Sequence, residues 1–600
     1  MLTAADIAKR SEGLTVPKAF ARTLAARRFE PAIRWRSGDG WSEWTWADYA
    51  DEVSRAVGVF SALGLRRGDR AVLMMRNVPE FHALDMALAY LGVCSISIYN
   101  SSASDQIQYL VGHSEAKVAV VEDDAFLARF LEIREQLPML ESLVTLGDSG
   151  ADNSAVLSWA ELVARHDPVD LASIVEVTQP DDLATMIYTS GTTGPPKGVM
   201  LDHANIAWTG ECLLSLMGDP AGWRQISYLP MAHIAERMTG HYNHIRAGTI
   251  VYTCPEPSQI AAYCREVHPN LMFGVPRIWE KIEAGLRSFV ATQPDDARER
   301  MEKGLAVAQL YAKARLSGEP ISEELQAGYD QVEAALLGPA RGLVGLDEIK
   351  TAITGAAPIA QETLWFFRGL GVEFSEIYGM SESCGPITWD PYDVRIGSVG
   401  RACPGIEVAL ADDGEVIFRG GNAFRGYLKE PEKTAETLDA DGWVHTGDIG
   451  RFDADGYLFI IDRKKELIIT AGGKNISPAN IESKLKGSPL IGQACVIGDR
   501  RPYLVALLTL DPDVAPVWAK AQGIADTSIP ALAENPLVLA ELDRWVEQVN
   551  EEFSRTEGVK KIRVLPVEWQ PDSAELTPTM KLKRRGINEG YAAEIEELYS

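Results

Sequence analysis

The sequence predicts an α/β chain: a large N-terminal domain with doubly wound sheets plus a small β-rich module, followed by a smaller α+β C-terminal domain. Three observations predict it. Strand-length apolar runs alternate with helical patterns from residue 70 onward. Between Gly397 and Ile461 the texture changes to short strands broken by Asp413-Gly414, Asp441-Gly442 and Asp455-Gly456 turns. A charged tetrapeptide, Asp462-Arg463-Lys464-Lys465, then separates two apolar runs. The expected division is 1–461 (β-rich module about 397–461), a connection at 462–465, and 466–600. Six hundred residues are too many for one compact core.

In order, Thr45 is a candidate N-cap for a helix whose apolar positions Tyr49, Val53, Val57 and Phe60 recur at helical spacing. Arg70 to Met75 reads as a buried strand, Pro79 to Leu91 as a helix, and Cys94 to Ile98 and Val118 to Val121 as strands. Further strands are expected at Ala184 to Ile187, Gln225 to Pro230, Thr249 to Tyr252, Ile349 to Thr354 and Val372 to Phe374. A helix follows Pro276, a charged helical section runs to about Leu337, and another helix covers 361–370. Such sheets bind ligands at the carboxyl ends of their strands.

Net charge is −27 and the pI near 4.9, which excludes a general nucleic-acid binder, since that work needs a basic face. The seven cysteines are scattered without a CxxC pair, so neither a disulfide framework nor a structural zinc site is expected, and a reducing cytoplasmic setting fits. Met1 to Glu30 has no uninterrupted apolar run, so no signal peptide is expected. The longest apolar run, Met86 to Tyr99, is short of the ~20 residues that span a bilayer. Peripheral contact at the inner membrane face stays compatible with the sequence, and the oligomeric state is open.

Chemistry concentrates in Ile187-Tyr188-Thr189-Ser190-Gly191-Thr192-Thr193-Gly194-Pro195-Pro196-Lys197-Gly198-Val199. Glycines let successive amides face an anion, hydroxyls add donors and the lysine adds a mobile charge, a composition suited to phosphate. A surface turn would explain the glycine and proline but not the hydroxyls ahead of Lys197. Pro196 and Gly198 stand where a Walker loop needs Gly and Ser or Thr, so a P-loop kinase or ATPase is disfavoured.

This loop, Tyr378-Gly379-Met380-Ser381-Glu382, His445-Thr446-Gly447-Asp448 and the late Lys581 occur in the order and rough spacing of the adenylate-forming superfamily, which the chain resembles over most of its length. Leu229 to Arg237, Val275 to Lys281, Asp462 to Ile468 and Leu576 to Arg584 resemble its long-chain fatty acyl-CoA synthetase branch in particular. The resemblance implies ATP-dependent activation of a fatty acid to acyl-AMP and transfer to coenzyme A, with Mg²⁺ as cofactor. It implies phosphate contacts from Thr189, Ser190, Gly191, Thr192, Thr193, Gly194 and Lys197, and Glu382 as the Mg²⁺ ligand. The nucleotide pocket would take Gly355, Ala356, Ala357, Pro358, Glu376, Tyr378 and Gly379. Ser381 would meet the α-phosphate, with Asp448 and Arg463 at the ribose. Lys581 would be the catalytic lysine, with Lys583 two residues away as a competitor, and His233 would lie near the carboxylate. The C-terminal domain would be mobile about hinge residue Lys465, bringing Gly472, Gly473 and Lys474 to the coenzyme A channel.

Three positions are ambiguous. Arg237 stands where some bacterial relatives gate the acyl tunnel with tryptophan, Trp279 suits a tunnel border or a core equally, and His241 with His244 is an i,i+3 metal pair lacking a third ligand. Rival functions are an acyl-AMP ligase loading a carrier protein, a ligase for an aryl or bile-type acid, and a non-catalytic acyl- or nucleotide-binding protein.

Overall fold

The structure, a computed structural model, describes residues 2–147, 155–189, 195–470, 475–571, 573–577 and 580–600. The predicted α/β architecture is observed. A seven-stranded sheet runs Leu157–Ser158, Ser142–Thr145, Val118–Val121, Arg70–Met74, Cys94–Ser97, Leu183–Thr189, Lys197–Asp202 across its width, parallel except for the last pair. An eight-stranded sheet is parallel through Phe374–Met380, Thr351–Thr354, Leu271–Gly274, Arg224–Ser227 and Ile250–Thr253, with antiparallel strands at its edges. Helices cover these sheets because the parallel strands are apolar on both faces.

Local chemistry sets the element ends. Thr45 and Asp48 form a reciprocal capping box that starts helix Trp46–Ala62, and Trp46, Tyr49, Val53, Val57 and Phe60 are fully buried. One predicted strand begins later than expected. The Val372 N–H turns back to the Phe367 carbonyl at 2.9 Å, closing helix Gln361–Gly369, so the strand starts at Phe374 and carries Tyr378 to Met380.

The β-rich module is a four-stranded antiparallel sheet, Glu407–Leu410, Glu415–Arg419, Val444–Phe452 and Leu458–Arg463. Its last strand extends through Asp462 and Arg463, which pair with Ile449 and Asp448. Beyond it, strands Ile491–Ile497, Leu504–Leu510 and Val559–Leu565 form a sheet with its own core around Leu485, Leu508 and Leu542. Asp462 tethers this part: its Oδ2 accepts the Ser477 hydroxyl at 2.6 Å and the Ala479 N–H at 3.2 Å, at the start of helix Pro478–Leu485. Ion pairs add to the contact, Lys484 with Glu362 at 2.6 Å, Lys281 with Asp513 at 2.8 Å, and Arg277 with Asp511.

All seven cysteines are free and buried. No helix among the described residues is long and apolar enough to cross a membrane.

Candidate active site

A cavity of about 800 Å³ lies at the carboxyl ends of both large sheets, closed by the β-rich module and by the segment around Lys581. Thr189 and Lys197 end two antiparallel strands and pair with each other in register, so the lysine of this motif stands on a strand and not at the start of a helix. Ser190, Gly191, Thr192, Thr193 and Gly194 lie outside the described residues. The Lys197 ammonium sits 4.6 Å over the Tyr427 ring, and the Tyr427 O–H donates to Glu382 Oε1 at 2.7 Å. Ser381 and Glu382 are buried side chains on the cavity wall.

A second polar group faces the same space. The Tyr378 O–H donates to Asp448 Oδ2 at 2.6 Å, and Arg463 Nε approaches Asp448 Oδ1 at 3.0 Å across paired strands. Burial, then the Asp448 charge, pushes the Tyr378 phenol well above its usual range. Gly379, Ala356, Tyr378 and Arg463 line the cavity; Asp448 stands behind Tyr378 and Arg463. Gly355 permits a close crossing, since a Cβ there would meet the Ile377 carbonyl at 2.8 Å. Gly355, Ala357, Pro358 and Glu376 stand off the cavity wall. Glu376 pairs with Thr354, and burial raises its carboxyl to about 8, so it is protonated at neutral pH.

Lys581 projects from a tight turn in which its N–H donates to Thr577 Oγ1 at 2.9 Å and its carbonyl accepts the Thr577 N–H at 2.8 Å. Its side chain lines the cleft, where desolvation, followed by the Arg463 charge, lowers its ammonium to about 8. Lys583 also lines the cavity, but its ammonium donates to the Ser573 carbonyl at 2.8 Å. His233 Nδ1 accepts the Ala235 N–H at 3.2 Å; burial, then the Lys581 charge, lowers its imidazole to about 3. The ring is therefore neutral beside a cation. Lys465 lines the cavity, whereas Gly472, Gly473 and Lys474 lie outside the described residues.

A sequence model of the AMP-binding enzyme family matches residues 20–428, and one of the AMP-binding enzyme C-terminal domain matches residues 465–600. The chain belongs to the AMP-binding enzyme family. Within it, the chain falls in the long-chain fatty acyl-CoA synthetase branch. It is 46% identical over 440 residues to fadD11 of Mycobacterium tuberculosis, named as a fatty-acid–CoA ligase, covering 73% of this chain and 77% of that one. To the long-chain-fatty-acid–CoA ligase FadD15 of Mycobacterium bovis it is 34% identical over 578 residues, 93% of each chain. Among solved structures, the A domain of carboxylic acid reductase from Segniliparus rugosus shares the fold, with a TM-score of 0.76 at 19% identity, covering 100% of this chain and 96% of that one.

Within this AMP-binding enzyme the ambiguous positions resolve. Arg237 is fully buried and turned away from the cavity: its guanidinium donates to Asp85 and Ser97 and to the Tyr242 hydroxyl at 3.2 Å. It is no tunnel gate. His241 donates its Nε2–H to Asp85 Oδ2 at 2.8 Å, and its Nδ1 meets His82 Nδ1 at 3.0 Å, so it belongs to the same buried network. Among the described residues no group of three or more His, Cys, Asp or Glu side chains could hold a metal ion. Trp279 is a core residue whose indole N–H donates to the Gly274 and Ile353 carbonyls at 3.2 Å. Tyr427 was missed from the sequence: an aromatic after a glycine reads as core, and its partners are 45 and 230 residues away in the chain.

Proposed function

We propose that this AMP-binding enzyme joins a long-chain fatty acid to AMP and then transfers the acyl group to coenzyme A, releasing AMP. The observation that carries the reading is that Lys581, from the C-terminal part, shares one cavity with Thr189, Lys197 and Glu382 and with an apolar arm that includes Leu213, Met217 and Met238. The name of the fadD11 relative supports a fatty-acid substrate, and that of FadD15 a long-chain one.

In the first step a carboxylate oxygen attacks the α-phosphorus of ATP; the P–O bond to the β-phosphate breaks and pyrophosphate leaves. Lys581, protonated below about pH 8, neutralises charge shared between the carboxylate and α-phosphate. Neutral His233 admits the carboxylate without adding a second cation. Thr189 and Lys197 hold the departing phosphates, Tyr378 and Ala356 flank the base, and Asp448 with Arg463 serves the ribose.

Mg²⁺ fits the wall at Glu382. The carboxylate, with the Thr189 and Ser381 hydroxyls, offers hard oxygen donors, and one carboxylate suits an ion held chiefly by substrate phosphates and water. Bound there, it would offset the phosphate charge. In the second step the coenzyme A sulfur attacks the acyl carbon, the bond to AMP breaks and the thiol proton passes to solvent, after the C-terminal domain turns about Lys465.

Pyrophosphate release measured across C2 to C24 acids, with and without coenzyme A, tests the reading. Long-chain acids should give acyl-CoA; turnover of short or aromatic acids alone would sink it.

A further inference from the structure

The ion pairs that join the C-terminal domain to the large domain are of unequal kind. Helix Pro276–Ala291 follows strand Leu271–Gly274, whose Leu271 and Phe273 line the cavity, and it presents Arg277 and Lys281, one turn apart, to the C-terminal domain. Lys281 meets Asp513 at 2.8 Å with both side chains exposed, a contact that water and salt weaken. Arg277 meets Asp511, whose side chain is only 4% exposed. Asp511 is also committed within its own domain. Its Oδ1 accepts the Asp513 and Val514 N–H groups at 2.9 Å in the turn ahead of helix Ala515–Ala521, while Oδ2 accepts from Arg277.

The same domain carries Lys581. Three residues on, the Arg584 guanidinium donates to both carboxylate oxygens of buried Glu482 at 2.8 Å, and Glu482 Oε1 accepts the Val496 N–H at 2.7 Å. The Lys581 segment is thereby fastened to helix Pro478–Leu485 and strand Ile491–Ile497, so a contact that fixes this domain also fixes Lys581 in the cavity. Burial makes the Arg277–Asp511 pair selective between domain arrangements. Docked, Asp511 depends on Arg277 for its counter-charge; once the domain turns away, both groups regain water and neither is left uncompensated.

We propose that Arg277 and Asp511 are positioning residues that latch the C-terminal domain in the arrangement for acyl-AMP formation, and that the pair parts before the coenzyme A sulfur attacks. The inference rests on the two-step reading of the cavity.

The test measures the two steps separately in the full chain: ATP–pyrophosphate exchange with a long-chain acid, and thioester formation from supplied acyl-AMP and coenzyme A. Arg277→Leu strands the Asp511 carboxylate only in the docked arrangement, so exchange should fall roughly 10-fold or more while thioester formation holds or rises. Arg277→Lys keeps the charge and should retain most of the exchange. Asp511→Asn keeps the Oδ1 acceptor, and adding it to Arg277→Leu should restore part of what that variant loses. Should Arg277→Leu not fold, Asp511→Asn alone decides by the same split between the steps. Exchange unchanged in the variants, or both steps falling together in a folded variant, overturns the latch and leaves the acid-activating reading intact. A wild-type chain that exchanges pyrophosphate with no acid removes both.

Discussion

Tyr427 donates its phenolic proton to Glu382 at 2.7 Å and at the same time lays its ring 4.6 Å beneath the Lys197 ammonium. One side chain thus fixes both an anionic and a cationic group on the cavity wall. Tyr427→Phe keeps the ring and removes the bond to the carboxylate. We expect ATP–pyrophosphate exchange to fall roughly 10-fold, with a raised Mg²⁺ requirement, because bonds to charged groups are worth about 1.5–3 kcal/mol. An unchanged magnesium titration would separate Tyr427 from Glu382.

The Lys581 ammonium, lowered to about 8, sets a limit on the alkaline side. The charged form exists below that pH, so acyl-AMP formation should decline as pH rises through about 8. Lys581→Arg should remove this decline. Lys581→Ala should cost acyl-AMP formation roughly 100-fold or more while leaving thioester formation from supplied acyl-AMP. Equal loss of both steps would count against that assignment.

Asp448 accepts from Tyr378 and pairs with Arg463. Asp448→Asn keeps the shape and removes the charge, so the KM for ATP should rise roughly 10-fold while the KM for the fatty acid stays close to its original value. Steady-state kinetics with each substrate varied in turn will show whether the two constants separate.

The Arg237–Asp85 pair is completely buried. Burial alone would raise the Asp85 carboxyl, yet Arg237 and His241 outweigh it and hold it at about 2, below its ordinary 3.8. Its contribution to stability is therefore complete above about pH 4 and is lost as pH falls through about 2. Arg237→Leu leaves a buried carboxylate uncompensated and should cost about 3–5 kcal/mol in denaturant unfolding at neutral pH. Adding Asp85→Leu should restore part of that loss; a double variant as unstable as the single one would contradict it.

The fold was legible because the parallel strands are unbroken apolar runs, such as Val118–Val121, and because Thr45 and Asp48 announce a helix start in the sequence itself. That Lys197, Tyr378, Glu382 and Lys581 would line one cavity was legible for another reason: each is a chemically distinctive residue inside an ordered motif. Tyr427 was not, since its two partners reach it only through tertiary folding. The direction of Arg237 was equally hidden. It depends on the π turn at Arg237–Tyr242, a change of helical pitch that apolar spacing does not report. The start of strand Phe374–Met380 was obscured by Val372, an apolar residue used to close the preceding helix.

The buried state of all seven cysteines has a practical corollary. Burial raises the thiols of Cys94, Cys254, Cys264, Cys384 and Cys495 to about 12, so at neutral pH these five offer almost no thiolate to an electrophile, and the other two are shielded by their burial. A colorimetric thiol reagent added to a reaction mixture will therefore count free coenzyme A against a silent protein background. The same reagent without coenzyme A becomes a gauge of unfolding, rising from near zero to seven equivalents per chain as the molecule opens.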